Sequence, residues 1–183
     1  MKSQLKVHPH LQAVLLFITL LLAACSNVVF VSPQPQDAPD LYQIPENYQG
    51  IYINSDSDTM RIYPDKFVLT FLNNPLEINL SDENVKIRRA GEYFALNLHL
   101  DKYWGVYLGK QSGEQLEVAS LDFSSLSEAD IEWLKRQAGA ETPVGEENKG
   151  KIRLILKPSP EIFNEMIKKG LFKNVTLLHR QKP

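Results

Sequence analysis

The stretch "FALNLHL", Phe94 to Leu100, alternates apolar side chains with others along its whole length. Successive side chains of a strand point to opposite faces, so Phe94, Leu96, Leu98 and Leu100 share one face, and Asn97 and His99 take the other. Such a segment is stable only when its apolar face is covered by further strands or a helix. The same period recurs around it. From Gln49 to Phe123 the runs "GIYIN", "TMRIY", "FVLTFL", "LEINL", "VKIRRA", "YWGVYLG" and "LEVASLDF" are separated by the turn-forming stretches "SDSD", "PDK", "NNP", "SDEN" and "KQSGEQ". Short strands at near-regular spacing predict a mostly antiparallel meander, with Ser112-Gly113 supplying hairpin chemistry.

Helical punctuation follows the strands. In "SLSEADIEWLKRQAG", Ser127 fits an N-cap and Asp130 stands where a capping box has Glu or Gln. Leu126 and Ile131 occupy the staple positions, and Gly139 closes the helix. After a polar loop, "IRLILK" reads as a strand. In "SPEIFNEMIKKG", Ser159 caps, Pro160 sits at N1 and Gly170 stops the helix, while Ile162, Phe163, Met166 and Ile167 form one stripe. "FKNVTLLHR" is a last strand. The expected fold class is therefore α+β: an antiparallel β-meander followed by a helix and a C-terminal β-α-β unit. A parallel pairing of the two flanking strands would make that crossover right-handed.

The first residues carry a different signal. "MKSQLKVHPH" has Lys2 and Lys6 and no acid, and Leu11 to Ala24 is an apolar run of 14 residues. That is the layout of a secretory signal and is shorter than the roughly 20 residues of a bilayer-spanning helix. Leu22-Ala23-Ala24-Cys25 resembles the lipobox of bacterial lipoprotein precursors. The resemblance implies cleavage before Cys25, lipidation of that residue and a type II signal peptide over 1–24. Several acyl chains on one residue give stable attachment where a single chain does not. Ser26, in place of Asp, implies the outer membrane in that family, with the periplasmic face favoured. Cys25 is the chain's one cysteine, so an intramolecular disulfide is excluded.

Without residues 1–24 the chain has 159 residues, enough for one domain. Its 18 Lys and Arg against 22 Asp and Glu give a net charge near −4, which argues against nucleic acid as partner. Residues 25–48 contain Pro33, Pro35, Pro39 and Pro45 and read as a lipidated cysteine on a Pro-rich tether. Within it, "NVVFV" is an apolar patch able to pack on the domain or add an edge strand. Residues 49–183 form the single globular domain.

Motifs for chemistry are sparse. Asn54, Asp56 and Asp58, with Asp65 as twelfth ligand, have calcium-loop spacing. Thr59 replaces the glycine that loop requires, and the flanks are strands, so a polar hairpin tip is the better reading. His99 and His179 lack companions at metal-ligand spacing, so no metal or cofactor is expected. Glu128 and Asp130 are explained by the helix start. G-x-S-x-G, S-x-x-K, P-loop and G-x-G-x-x-G motifs are all missing. Tyr103, Trp104 and Tyr107 form the candidate surface for a partner or ligand, with Trp104 on the face of Val106 and Leu108 and the two tyrosines on the other. "KIRR", Lys86 to Arg89, is a basic strand with a possible phosphate-binding use.

These features predict a non-enzymatic lipoprotein, a binding or assembly accessory with a periplasmic or envelope protein partner. Two alternatives stand beside it. One is an uncharacterised periplasmic enzyme. The other is a carrier of a small apolar ligand, since "NYQGIYIN" resembles the G-x-W opening of lipocalins. Tyr52 stands in place of that Trp. The meander also covers only 75 residues, and lipocalins do not carry a β-α-β tail.

Overall fold

The computed structural model describes residues 28–71, 74–142 and 154–181. Cys25, the signal segment and most of the polar loop after Thr142 lie outside these residues. The described strands are β1 (Val28–Phe30), β2 (Gly50–Ile53), β3 (Thr59–Ile62), β4 (Lys66–Phe71), β5 (Asn74–Asn79), β6 (Val85–Ala90), β7 (Tyr93–Leu100), β8 (Tyr103–Ser112), β9 (Gln115–Ser120), β10 (Leu154–Leu156) and β11 (Asn174–Arg180). The helices are α1 (Glu128–Gln137) and α2 (Pro160–Lys168).

All eleven strands belong to one mixed sheet. β2 to β5 form one antiparallel meander and β6 to β9 a second. β11 lies between them, antiparallel to both β9 and β2. This corrects the α+β expectation: the two strands flanking α2 never pair. β10 instead runs parallel to β1, and β11 completes the large sheet. The chain is a mainly β protein with two helices packed on it. Alternation specifies which face a residue takes but not which strand lies beside it, and both displaced strands find partners more than 100 residues away.

The sheet is strongly curled. Along the order β6-β7-β8-β9-β11-β2-β3, six steps of about 4.8 Å would put β6 and β3 roughly 29 Å apart if the sheet were flat. Yet Ile87 of β6 and Ile62 of β3 belong to one buried cluster with Tyr52, Phe94, Leu116 and Leu178. Consecutive β5 and β6 are not paired with each other, so the curl stays open along that seam. Pro75 within β5 suits a strand with a free edge.

Residues 28–48, expected as a tether, are held against this sheet. Val28, Val29 and Phe30 are 0, 3 and 0% exposed, and Phe30 pairs with Trp104 of β8. Leu41 N donates to Ile87 O of β6 and Ile44 N to Pro64 O beyond β3, at 2.8 and 2.7 Å. The segment thus straps the seam near β6, burying Ile44 in the concave core. Hydrophobicity explains the correction. "NVVFV" offers three consecutive side chains that only a strand buried on both faces can absorb.

A second core lies on the convex side. Val106 and Leu108 of β8, Ala95 of β7 and Ala119 of β9 pack under Val28 and Phe30, Leu134 of α1, Leu154 and Leu156 of β10, and Phe163 and Met166 of α2. The small residues Ala90, Ala95 and Ala119 let this layer approach closely. Both helices start as the sequence indicates. Ser127 and Asp130 make a reciprocal capping box, and Ser159 caps α2 with Pro160 in the first turn. Gly139 and Gly170 follow the helices with φ of +56° and +65°, the left-handed conformation a helix stop requires.

Asp130 also accepts from Lys173 Nζ at 2.6 Å. That hydrogen bond first, and then those from Ser127, hold its carboxyl at about 2 against an ordinary 3.8. A depressed carboxylate stabilises the fold fully above its ordinary value, and the stabilisation is lost as pH falls through the folded-state value. Asp130→Asn should therefore lower the urea midpoint at pH 6, with the gap closing as pH falls through 3.8 towards about 2. An equal gap at both ends of that range would assign the effect to the cap geometry and not to the charge.

Candidate ligand-binding surface

Burial on the concave face changes from one end to the other. At one end Tyr52, Ile62, Phe94, Leu116 and Leu178 are 0, 5, 8, 3 and 5% exposed. Two residues further along the same strands, the same face becomes open. Met60 follows Ile62, Leu96 follows Phe94 and Val118 follows Leu116, all half-buried, while Thr176 before Leu178 is exposed. Leu98 and Leu100 of β7 continue the line, half-buried. The curled sheet is thus closed and packed at one end and open at the other.

The closed end is sealed by Tyr48, Tyr52 and Arg180. Tyr48 comes from the one-turn helix Glu46–Tyr48, and its ring meets Phe94 edge-on at 4.7 Å. Tyr52 Oη donates to Tyr48 O at 3.0 Å. The Arg180 guanidinium lies 5.2 Å from the Tyr52 ring centre. It donates to Tyr52 Oη at 2.6 Å and also to Asn47 O. A guanidinium over an aromatic face with both hydrogen bonds made is a stable lid, and it ties β11, β2 and the strap together.

At the open end the sequence candidates divide between faces. Tyr107 pairs with Leu96 and Tyr103 with Leu100, so both tyrosines line the concave mouth, half-buried. Between them, a Cβ at Gly105 would lie 3.1 Å from Leu100 Cδ1 and 3.6 Å from the Tyr107 ring. The missing side chain is what lets Leu100 and Tyr107 lean together. Trp104 points the other way and packs against the convex core. Its ring lies 4.6 Å from that of His99, and His99 Nδ1 is 3.0 Å from Asn84 Oδ1. The three aromatics therefore do not form one surface.

Other candidates serve structure. Asn54 Oδ1 accepts from the Asp56 and Asp58 amides at 2.9 and 2.8 Å, closing the hairpin tip on itself. His179 is exposed on β11 beside Gln115. In "KIRR", Arg89 stacks on Phe94 at 4.8 Å, while Arg88 is turned onto the strap. It donates to Asp40 Oδ1 at 2.7 Å and to Pro33 O and Pro35 O at 3.0 Å. Burial pushes the Asp40 carboxyl up, but the hydrogen bond and charge of Arg88, aided by Lys86, outweigh it and leave the group below 3.8.

Sequence reasoning missed Asn97 and Arg180. Asn97 is 0% exposed. Its Oδ1 accepts from Gln34 N at 2.6 Å and its Nδ2 donates to Gln34 O at 3.0 Å, as a neighbouring strand would. Gln34 is itself fully buried, with Oε1 the buried side-chain oxygen left without a partner among the described residues. The available signal was the company Asn97 keeps: Ala95 and Ala90 on its face are too small and apolar for a solvated surface. Arg180 carried no local signal, because its partner Tyr52 is 128 residues away.

Compared with protein-family models, curated proteins and solved structures, the chain matches none. The site has to be interpreted from its own geometry.

Proposed function

We propose that the chain is a lipid-anchored envelope protein whose curled sheet holds an apolar ligand without reacting with it. One observation carries this reading: the concave face passes from packed at the closed end to half-buried and apolar at the mouth. An apolar surface lining a concavity favours ligands with an aliphatic portion, at about 25 cal/mol per Å² removed from water. The lowered carboxyl groups lie outside the concavity, Asp40 against Arg88 and Asp130 against Lys173. They are accounted for as structural pairs.

The test is displacement of a fluorescent fatty acid from the purified full chain. Leu98→Glu places a charge on the half-buried mouth wall and should weaken binding more than tenfold, since an unpaired charge against an apolar ligand costs several kcal/mol. The unfolding midpoint should move little, because Leu98 is half-buried. Unchanged affinity would remove the concave face from the binding site.

A second reading, an assembly accessory, is favoured by the convex side. Ile51, Val175 and Leu177 are 37, 45 and 49% exposed on neighbouring β2 and β11, and a stripe of this kind suits a protein partner. Native mass spectrometry of gently extracted protein separates the readings. A retained small molecule supports the carrier, and a stoichiometric protein companion supports the accessory.

A further inference from the structure

We infer that the concave site takes a bilayer amphiphile, loaded directly from the membrane that holds the chain, because the anchor keeps the mouth against the lipid. This rests on the carrier reading and on acylation of Cys25. The first support is that the anchor has no slack. β1 starts at Val28, which is 0% exposed and paired with Leu154. Phe30 is locked against the Phe163 ring at 6.0 Å, and Val31 N continues the ladder to Leu156 O at 3.0 Å. Val28 lies three positions after Cys25. At no more than about 3.6 Å per residue, the acylated residue lies within roughly 11 Å of Val28.

The second support is where β1 begins. Phe30 pairs antiparallel with Trp104, which brings Val28 level with Val106. The next β8 residue, Tyr107, pairs with Ser120, the last residue of β9. Ser120 pairs in turn with Asn174, the first residue of β11. β1 thus starts where β9 ends, at the mouth. The sealed end, at Gln115, lies five residues back along β9, about 17 Å away. The anchor's reach is shorter than that distance, so the mouth is the end that the bilayer meets. A ligand with an acyl chain can then pass from lipid to the Leu98 and Tyr107 wall without crossing water.

The experiment uses acylated full-length protein in vesicles of phosphatidylethanolamine and phosphatidylglycerol. With Cys25 acylated, dyes can be placed on Asn174→Cys at the mouth and on Ser112→Cys at the sealed end, and read against a headgroup quencher. The mouth dye should be quenched more strongly. A 15-residue Gly-Ser insertion between Asn27 and Val28 should abolish that difference. It should also slow uptake of a pyrene-labelled fatty acid from the vesicle roughly tenfold, through the fall in effective concentration. Equal quenching in the uninserted chain, or uptake at an unchanged rate, overturns the inference while leaving the carrier reading intact. Absence of any uptake at equilibrium overturns both. An intact mass without acyl chains overturns the orientation alone.

Discussion

Asn97→Ala should lower the thermal midpoint by about 6–12 °C. The substitution strands the amide and carbonyl of Gln34 in a fully buried site, and each unsatisfied group costs about 1–3 kcal/mol. A total of about 3 kcal/mol translates into that shift for a domain of this size. The loss should be local in origin. The strap from Pro33 to Ile44 is held on β6 and β7 by Asn97, by Arg88 and by the Leu41 and Ile44 amides. Removing the first clamp should raise the rate of chymotryptic cleavage near Tyr42, already 82% exposed. A shift under about 3 °C with unchanged cleavage would mean that Asn97 does not hold the strap.

Phe163→Ala should cost more, about 4 kcal/mol or roughly 8–16 °C. Phe163 is 0% exposed and meets Phe30 and Phe172 edge-on at 6.0 and 5.9 Å. Its removal leaves a cavity between α2 and β1 that neither element can collapse into, since each is fixed by the sheet. Asn164→Ala, on the exposed side of the same helix, should stay within about 0.5 kcal/mol. Comparable losses for the two variants would show that α2 is held by its caps and not by the ring it inserts.

Local structure was legible in the sequence, and architecture was not. The eight strands from "GIYIN" to "LEVASLDF" appear as β2 to β9. The caps at Ser127 and Ser159 stand where hydroxyl, acid and proline placed them. These are short-range effects, decided within a few residues. The displaced elements were β1, β10 and β11, whose partners are set by the whole sheet. The candidate site was half legible. Alternation separated Trp104 from Tyr103 and Tyr107, but it could not show that the tyrosine face turns inward. Asn97 was assigned to solvent because period two marks a polar side without saying what covers it. The cover comes from β1 and the helices, brought in by side chains 60 or more residues distant.

The position of β11 has a consequence for how the chain is made. Val28 pairs with Leu154, and Tyr52 with Arg180. The first described strand and the first strand of the large sheet therefore both wait for residues from the last 30 of the sequence. Until those emerge, β2 and β9 each have an open edge and the strap has little to close against. Folding dominated by such distant pairings is slow, and synthesis proceeds from the N-terminus. The nascent chain thus stays extended until it is nearly complete, the state in which a polypeptide can be threaded through a translocation channel.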